Sequence, residues 1–354
     1  MSASDQHVRP QKRHRTAEDP PSQSSTPANT PLNSLRLKRH DELWFDDGSV
    51  ILVARDTGFR VFRSLLAAQS TVFADMFSSS SSSAEEMLEG CPVVQVSDSP
   101  EDVAHFLRVL LPTSQRIFFS RKFSFSFYQI SAIIHLAHKY NVQNILDQAI
   151  ASLHEYFTSN FDAWDTDPNQ AVLKFRSQQA IGVINLARLV DRPSLLPTAF
   201  YTCALLDSNI LDGYRREDKS VEHLPQQDIK RCINGRNKLV EEAFAIILEV
   251  FSARPCGGCK TPVTCQAALH AMLAEALISC KRSSASVFDS WQDLIRECAR
   301  ESHLCKLCEQ AAIEREYRAR KRVWDALPTI FDIEVDGWAL SASGSGGGAA
   351  TATT

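Results

Sequence analysis

The sequence holds no hydrophobic run approaching the ~20 residues that cross a bilayer, so no membrane span is expected. Its opening residues, MSASDQHVRPQKRHRT, lack the apolar stretch of a secretory signal. Neither sign of charge is in excess: Lys plus Arg is 38, Asp plus Glu is 42, and the net charge is −4. That balance argues against a chain built mainly to coat nucleic acid or an acidic membrane. No phosphate-binding glycine loop, nucleophile elbow or H-E-x-x-H pair occurs, and no internal repeat of useful length. With no export route, the chain is expected inside the cell, in nucleus or cytoplasm. There its ten cysteines should stay reduced and serve burial or metal binding rather than disulfides.

What is present suits a soluble globular protein. The 354 residues are 44% hydrophobic and 23% charged, enough apolar surface for one large or two ordinary domains. Residues 1–40, rich in Ser, Pro, Thr and Gln with seven basic and three acidic side chains, read as a disordered tail. Within it, Arg9–Arg15 is either a short nuclear-import signal or a solvated basic stretch. Residues 341–354 (SASGSGGGAATATT) read as a second flexible tail.

Order is expected from Asp41. Ser49–Ala54 (SVILVA) and Phe59–Phe62 flank the turn residues Arg55-Asp56-Thr57-Gly58 and read as a β-hairpin. Leu65, Leu66, Val72, Phe73, Met76 and Phe77 change to helical spacing and suit two short helices, with Ser70 available to cap the second. The serine run Ser78–Ser83 reads as a loop and Pro92–Ser97 as a third strand. Ser99-Pro100-Glu101-Asp102 opens a helix that Pro112 stops. Gln129–Phe157 carries two apolar stripes about Tyr140-Asn141, a helical pair. After the linker Asp165-Thr166-Asp167-Pro168 the strand signal vanishes. Ala180–Val190, Leu195–Leu206, Leu239–Phe251, Cys265–Ser279, Ser290–Ala299 and Leu304–Leu327 read as helices. The expectation is an α+β domain at 41–157 followed by an all-α region at 158–340.

Phe59-Arg60-Val61-Phe62-Arg63-Ser64-Leu65-Leu66, followed by Ser70, Phe73 and Met76-Phe77, resembles the central signature of the BTB/POZ family. Ile133-Ile134-His135-Leu136-Ala137-His138-Lys139-Tyr140 is similar to the family's L-x-L-A-x-K-Y helix. The phrase Glu89–Ser99 (EGCPVVQVSDS) resembles the large fungal group of BTB proteins. The resemblance covers about a third of the chain. It departs from the pattern at Phe62, which stands where the family usually has histidine. Leu32, Leu35, Leu37 and Leu43 alone could supply the N-terminal strand and helix of the family's exchanged dimer. The resemblance implies a small sheet with a helical cluster, no catalysis, and self-association or recruitment of protein partners. Some family members help grip a cullin scaffold through a hydrophobic-x-Glu motif at the place of Met87-Leu88-Glu89, which is therefore a candidate contact beside the plainer reading of a loop packing one Met.

Two C-x-x-C pairs stand apart from that resemblance: Cys256-Gly257-Gly258-Cys259 and Cys305-Lys306-Leu307-Cys308. Two residues between thiols let the backbone turn so that both sulfurs face one point, and two such pairs supply the four soft ligands of a tetrahedral zinc site. Cys265 lies near a helix start, where the dipole favours a thiolate, and replaces Cys256 if that residue is not a ligand. Four of Cys256, Cys259, Cys265, Cys305 and Cys308 are thus the candidate ligands of a structural Zn²⁺. The plain alternative is buried thiols packing as small hydrophobes. Cys91, Cys203, Cys232, Cys280 and Cys298 lack ligand spacing and read as core or incidental. The basic run Arg315–Arg322 reads as a solvated helix end rather than a phosphate contact, and His135, His138 and His154 as surface or satisfied side chains.

The reading is therefore a non-enzymatic interaction protein, with a cullin ubiquitin-ligase adaptor as its specific version. The alternative is a nuclear nucleic-acid-binding regulator dimerised by the BTB-like domain, which the charge balance disfavours.

Overall fold

Val50–Ala54 (β2) is buried at all five positions, which is why its sequence is a continuous apolar run rather than an alternating one. The structure, a computed structural model, describes residues 37–79, 86–111, 125–166, 173–279 and 285–338. Around β2 lies a five-stranded sheet that also contains β1 (Lys38–Trp44), β3 (Thr57–Val61), β4 (Met87–Leu88) and β5 (Cys91–Val96), in the order β1-β3-β2-β5-β4. β2 pairs antiparallel with β3 across a two-residue turn and parallel with β5, while β1 runs parallel to β3. The hairpin and third strand thus form where expected. Order begins earlier than Asp41, because β1 starts at Lys38 and closes one edge of the sheet. The remainder of the expected N-terminal tail with its Arg9–Arg15 cluster, the serine run from Ser80 onward, the helix stop Pro112, and the 341–354 tail lie outside the described residues.

The inner face of the sheet (Leu43, Val50, Leu52, Phe59, Val61) packs against helices α1 (Arg63–Gln69), α2 (Thr71–Ser79), α3 (Pro100–Leu110), α4 (Phe127–Lys139) and α5 (Gln143–Tyr156). Ser70 caps α2 by accepting the Phe73 N–H at 3.0 Å and donates its own proton to the Tyr140 carbonyl, while the Tyr140 ring stacks on Phe73 at 4.3 Å. Tyr140 Oη in turn donates to Asp98 at 2.6 Å, so three separated signature residues meet in one buried knot. Ser99 caps α3 as its motif predicts, accepting the Asp102 N–H at 3.1 Å. α4 begins two residues before Gln129, because Ser126 and Gln129 form a reciprocal capping box.

The second half is helical, as expected, with a few two-residue strands added. The short strand β6 (Phe125–Ser126) pairs with β7 (Leu173–Lys174), and β8 (Tyr214–Arg215) with β9 (Val221–Glu222). The linker expected at 165–168 opens in helix, since α6 (Phe161–Thr166) includes Asp165 and Thr166. Then follow α7 (Ala180–Leu189), α8 (Leu196–Ala204), α9 (Gln226–Val250), α10 (Pro262–Ser279), α11 (Gln292–Glu301), α12 (Lys306–Asp325) and α13 (Leu327–Phe331). α9 starts 13 residues before Leu239, because its first half buries Asp228, Cys232 and Gly235 rather than large apolar groups. Asp228 is chelated by Arg188, with both contacts at 2.7 Å, and by Arg231 at 3.1 Å.

One apolar cluster runs through both halves. At the seam, Phe127 packs edge-on to Phe175 and Tyr214, and Gly182 of α7 leaves room for its ring. The loop between β8 and β9 lies over α3 and the β2–β3 turn, fastened by Arg216 to Asp102 (2.7 Å), Arg55 to Asp218 (2.8 Å) and His105 to Glu217 (2.7 Å).

Gly235 is where α13 crosses α9. A Cβ there would meet Phe331 Cδ1 and Cε1 at 2.3 Å, well inside contact distance. Gly235→Ala is accordingly expected to lower the unfolding free energy by about 1–3 kcal/mol despite alanine's better helix propensity. Urea denaturation checks it; a variant as stable as the parent would mean that Phe331 moves aside without cost.

Candidate functional site

The C-terminal half gathers five cysteines from three elements. α9 ends at Val250, and the segment Pro255–Lys260 turns back on itself, with the Cys259 N–H donating to the Cys256 carbonyl at 3.0 Å. Cys265 sits in the first turn of α10 and is fully buried, its N–H bonded to the Thr261 carbonyl. Cys305 is the N-cap residue of α12, yet its side chain makes no capping bond, and Cys308 lies in the first turn. Two helix N-termini therefore converge on the thiols, each supplying unpaired N–H groups and a partial positive charge that favours thiolate.

The sulfurs of Cys259, Cys265, Cys305 and Cys308 all lie within 4.8 Å of one another, close enough to hold a metal ion. Cys259 and Cys305 stand 3.9 Å apart, against the S···S edge of about 3.8 Å that follows from Zn–S bonds of ~2.3 Å in a tetrahedron. The Cys305 N–H points at Cys265 Sγ (3.4 Å) and the Thr261 hydroxyl lies 3.4 Å from the same sulfur. Burial acts to raise the pKa of the Cys265 thiol, but the Thr261 hydroxyl, the Cys305 N–H and the neighbouring Cys259 and Cys305 side chains together outweigh it and bring it down to about 7. Burial pushes the Cys308 thiol the other way, well above its ordinary range. Cys256 is outside the set of four but adjoins it, its Sγ 3.5 Å from that of Cys308 and its N–H donating to the Cys308 sulfur at 3.3 Å. Of the five sequence candidates, the four brought together are thus the set in which Cys265 takes the place of Cys256. Arg315 holds the preceding loop to α12 by donating to Ser252 Oγ at 3.0 Å and to the Arg254 carbonyl at 3.4 Å. Of the cysteines without ligand spacing, Cys91, Cys203 and Cys232 are buried in the core, Cys298 is half-buried, and Cys280 lies outside the described residues.

The basic run at the end of α12 is exposed at Arg318 and Arg322, as its sequence suggests, but not at Arg320. Arg320 is completely buried and donates to Asp165 at 3.2 Å, to Glu316 at 3.0 Å and to the Phe288 carbonyl at 3.3 Å. Glu316, equally buried, also accepts the Trp291 N–H at 3.0 Å. Arg318 pairs with Glu314, Lys321 with Asp325, and Arg322 with Glu242 and Glu249. The i, i+4 pattern Glu316–Arg320 was the available signal for an internal pair, and the second partner, Asp165, was invisible because it comes from α6.

Met87-Leu88-Glu89 is an edge strand and turn rather than a loop. β4 pairs with β5 through Met87↔Pro92 and Leu88↔Cys91, and Glu89-Gly90 form the tight turn, both at positive φ (52° and 75°) as such two-residue turns require. Leu88 packs on the outer face of the sheet with Leu37, Trp44 and Val93 over Ile51 and Val53. Glu89 pairs with Arg39 and, at 3.7 Å, with Arg60. Only Met87, 56% exposed, projects outward without an internal role. Phe62, in the place of the family histidine, packs its ring against Phe45 at 5.1 Å.

Among the described residues no helix is long and apolar enough to cross a membrane. In comparison with known proteins, no curated protein and no solved structure matches the chain. A family model for the BTB/POZ domain does match, over residues 44–156. The five-stranded sheet and the helices α1–α5 are therefore a BTB/POZ domain, a protein-interaction module, joined to a helical region that carries the cysteine cluster.

Proposed function

We propose that this chain is a non-enzymatic interaction protein. Its BTB/POZ domain self-associates or recruits a protein partner, and its helical region, clamped by a structural zinc ion, presents a second surface. The observation that carries the first part is the BTB/POZ match over residues 44–156 on a sheet-and-helix unit of matching extent. What supports the second is the four-sulfur cluster at zinc-like spacing beneath two helix N-termini. The metal would be held by Cys259, Cys265, Cys305 and Cys308 and would tie α10 to α12. Four protein ligands leave no open position for water, so its role is structural. Thiols kept reduced fit a setting inside the cell.

The narrower version is a cullin ubiquitin-ligase adaptor, with Met87 as the exposed contact and Glu89 shaping the turn beside it. The still narrower placement in the fungal group rests on the phrase Glu89–Ser99. The nucleic-acid alternative loses support because Arg318, Arg320, Lys321 and Arg322 are all engaged by acidic side chains of the protein itself.

The test is light scattering on the full chain followed by mixing with a cullin scaffold. Twice the chain mass is expected; a monomer throughout the micromolar range would end the self-association reading. Met87→Asp is expected to weaken cullin binding at least about tenfold, the effect of losing one apolar anchor. Binding unchanged by Met87→Asp removes this contact, and no binding at all removes the adaptor version.

A further inference from the structure

The cluster contains one thiol more than a tetrahedral ion needs. We infer that Cys256 and Cys308 are a redox pair, which hydrogen peroxide joins as a disulfide, taking Cys308 away from the metal. This rests on the zinc reading above and gives that site a means of release.

Three observations place the reaction at this pair. Cys256 Sγ lies 3.5 Å from Cys308 Sγ, so a displacement of about 1.5 Å brings the two to bonding distance of ~2.05 Å. Cys256 belongs to a segment able to make that movement: Gly257 and Gly258 follow it, and a Cβ built on Gly257 would meet nothing within 4 Å. The same openness admits a small peroxide, whereas Cys265 is fully buried on α10 and held by its neighbours. Cys259, the other member of the first C-x-x-C, faces Cys305 instead, at 3.9 Å.

The chemistry balances as follows. The Cys256 thiol gives up its proton, and its sulfur attacks one peroxide oxygen. The O–O bond breaks, hydroxide leaves and takes a proton to become water, and Cys256 becomes a sulfenic acid. The Cys308 sulfur, bound to the metal as thiolate, then attacks the Cys256 sulfur. The S–O bond breaks and the departing hydroxide takes a proton from the solvent as water. Each sulfur is oxidised by one electron, the peroxide is reduced by two, and the metal is left with three thiolates. A thiol reductant reverses the step by exchange.

The full chain is purified with zinc under reducing conditions and freed of reductant. It is then treated with hydrogen peroxide while released zinc is read with a chromogenic chelator and disulfides are mapped by peptide mass. Zinc at one ion per chain before treatment is expected, with Cys256–Cys308 the first disulfide to appear, in step with metal release. Cys256→Ser should keep the same zinc content and release it at least about tenfold more slowly, having lost the thiol that captures the ligand. Release from Cys256→Ser at the parent rate, or a first disulfide between other residues, overturns the proposal. So does a Cys256→Ser protein that purifies without zinc, since Cys256 would then be a ligand. Untreated parent protein lacking zinc would overturn the metal reading and the release with it, while the disulfide map would still decide whether these two thiols pair.

Discussion

Removing the proposed zinc ion with a chelator, or replacing Cys308 by serine, is expected to cost the C-terminal helices on the order of 10 kcal/mol, the scale of a structural zinc site. That is comparable with the whole ~5–15 kcal/mol net stability of an ordinary domain, so α10 and the start of α12 should melt rather than loosen. The reason is visible in α10. Its inward face consists of Cys265, Ala268, Leu269, Met272 and Ala276, mostly small groups, while Val263 and Ile278 are 80% and 78% exposed. Apolar burial alone holds such a helix weakly, at ~25 cal/mol per Å² removed from water. The segment Pro255–Lys260 has still less to pack with. Circular dichroism should show helix loss on chelation, and limited proteolysis should cut first between residues 255 and 280. Because the ligands bind as thiolates, acidification should act in the same direction as the chelator, protons competing for the sulfurs as pH falls. Unchanged helix content and melting after chelation would show that the thiols hold the fold unaided.

The second large effect is expected at Arg320. Replacing it by alanine leaves Glu316 buried without its cation and Asp165 with one partner fewer, which should cost about 3–5 kcal/mol. The penalty is that of stranding a buried carboxylate and is not a measure of what the pair adds to stability. The double variant Arg320→Met with Glu316→Leu, which removes both charges and keeps the volume, should therefore recover most of the loss. Urea titration of the three proteins distinguishes the cases. A loss below about 1 kcal/mol for Arg320→Ala would mean that water reaches Glu316 and that the site behaves as surface.

Those two sites mark where the sequence was legible and where it was not. The hairpin, the Ser70 and Ser99 caps and the α4–α5 pair could be read directly, because each is set by residues within a few positions of one another. The clustered thiols were legible as a group of five candidates, since spacing reveals which sulfurs can meet. The choice of Cys265 over Cys256 was not, because it depends on where α10 begins relative to α12. β1 was missed because Lys38–Trp44 is polar along most of its length: an edge strand pairs through its backbone and needs few apolar side chains. The first half of α9 escaped for a related reason, its inward face being an ion pair and a glycine. The burial of Arg320 depends on Asp165, 155 residues away, which no local pattern reports.

The seam beyond Tyr156 has a consequence of its own. The family match ends at residue 156, yet Phe127 and Tyr156 interlock with Phe157, Phe175 and Tyr214 beyond that point. A fragment cut at the match boundary would bare these rings to water and should clump on expression, whereas one extended through Glu222 would keep them sheathed. By the same token, inherited changes on the two sides of this aromatic joint should accompany one another, so that the BTB/POZ portion and its helical companion travel through evolution as a single piece.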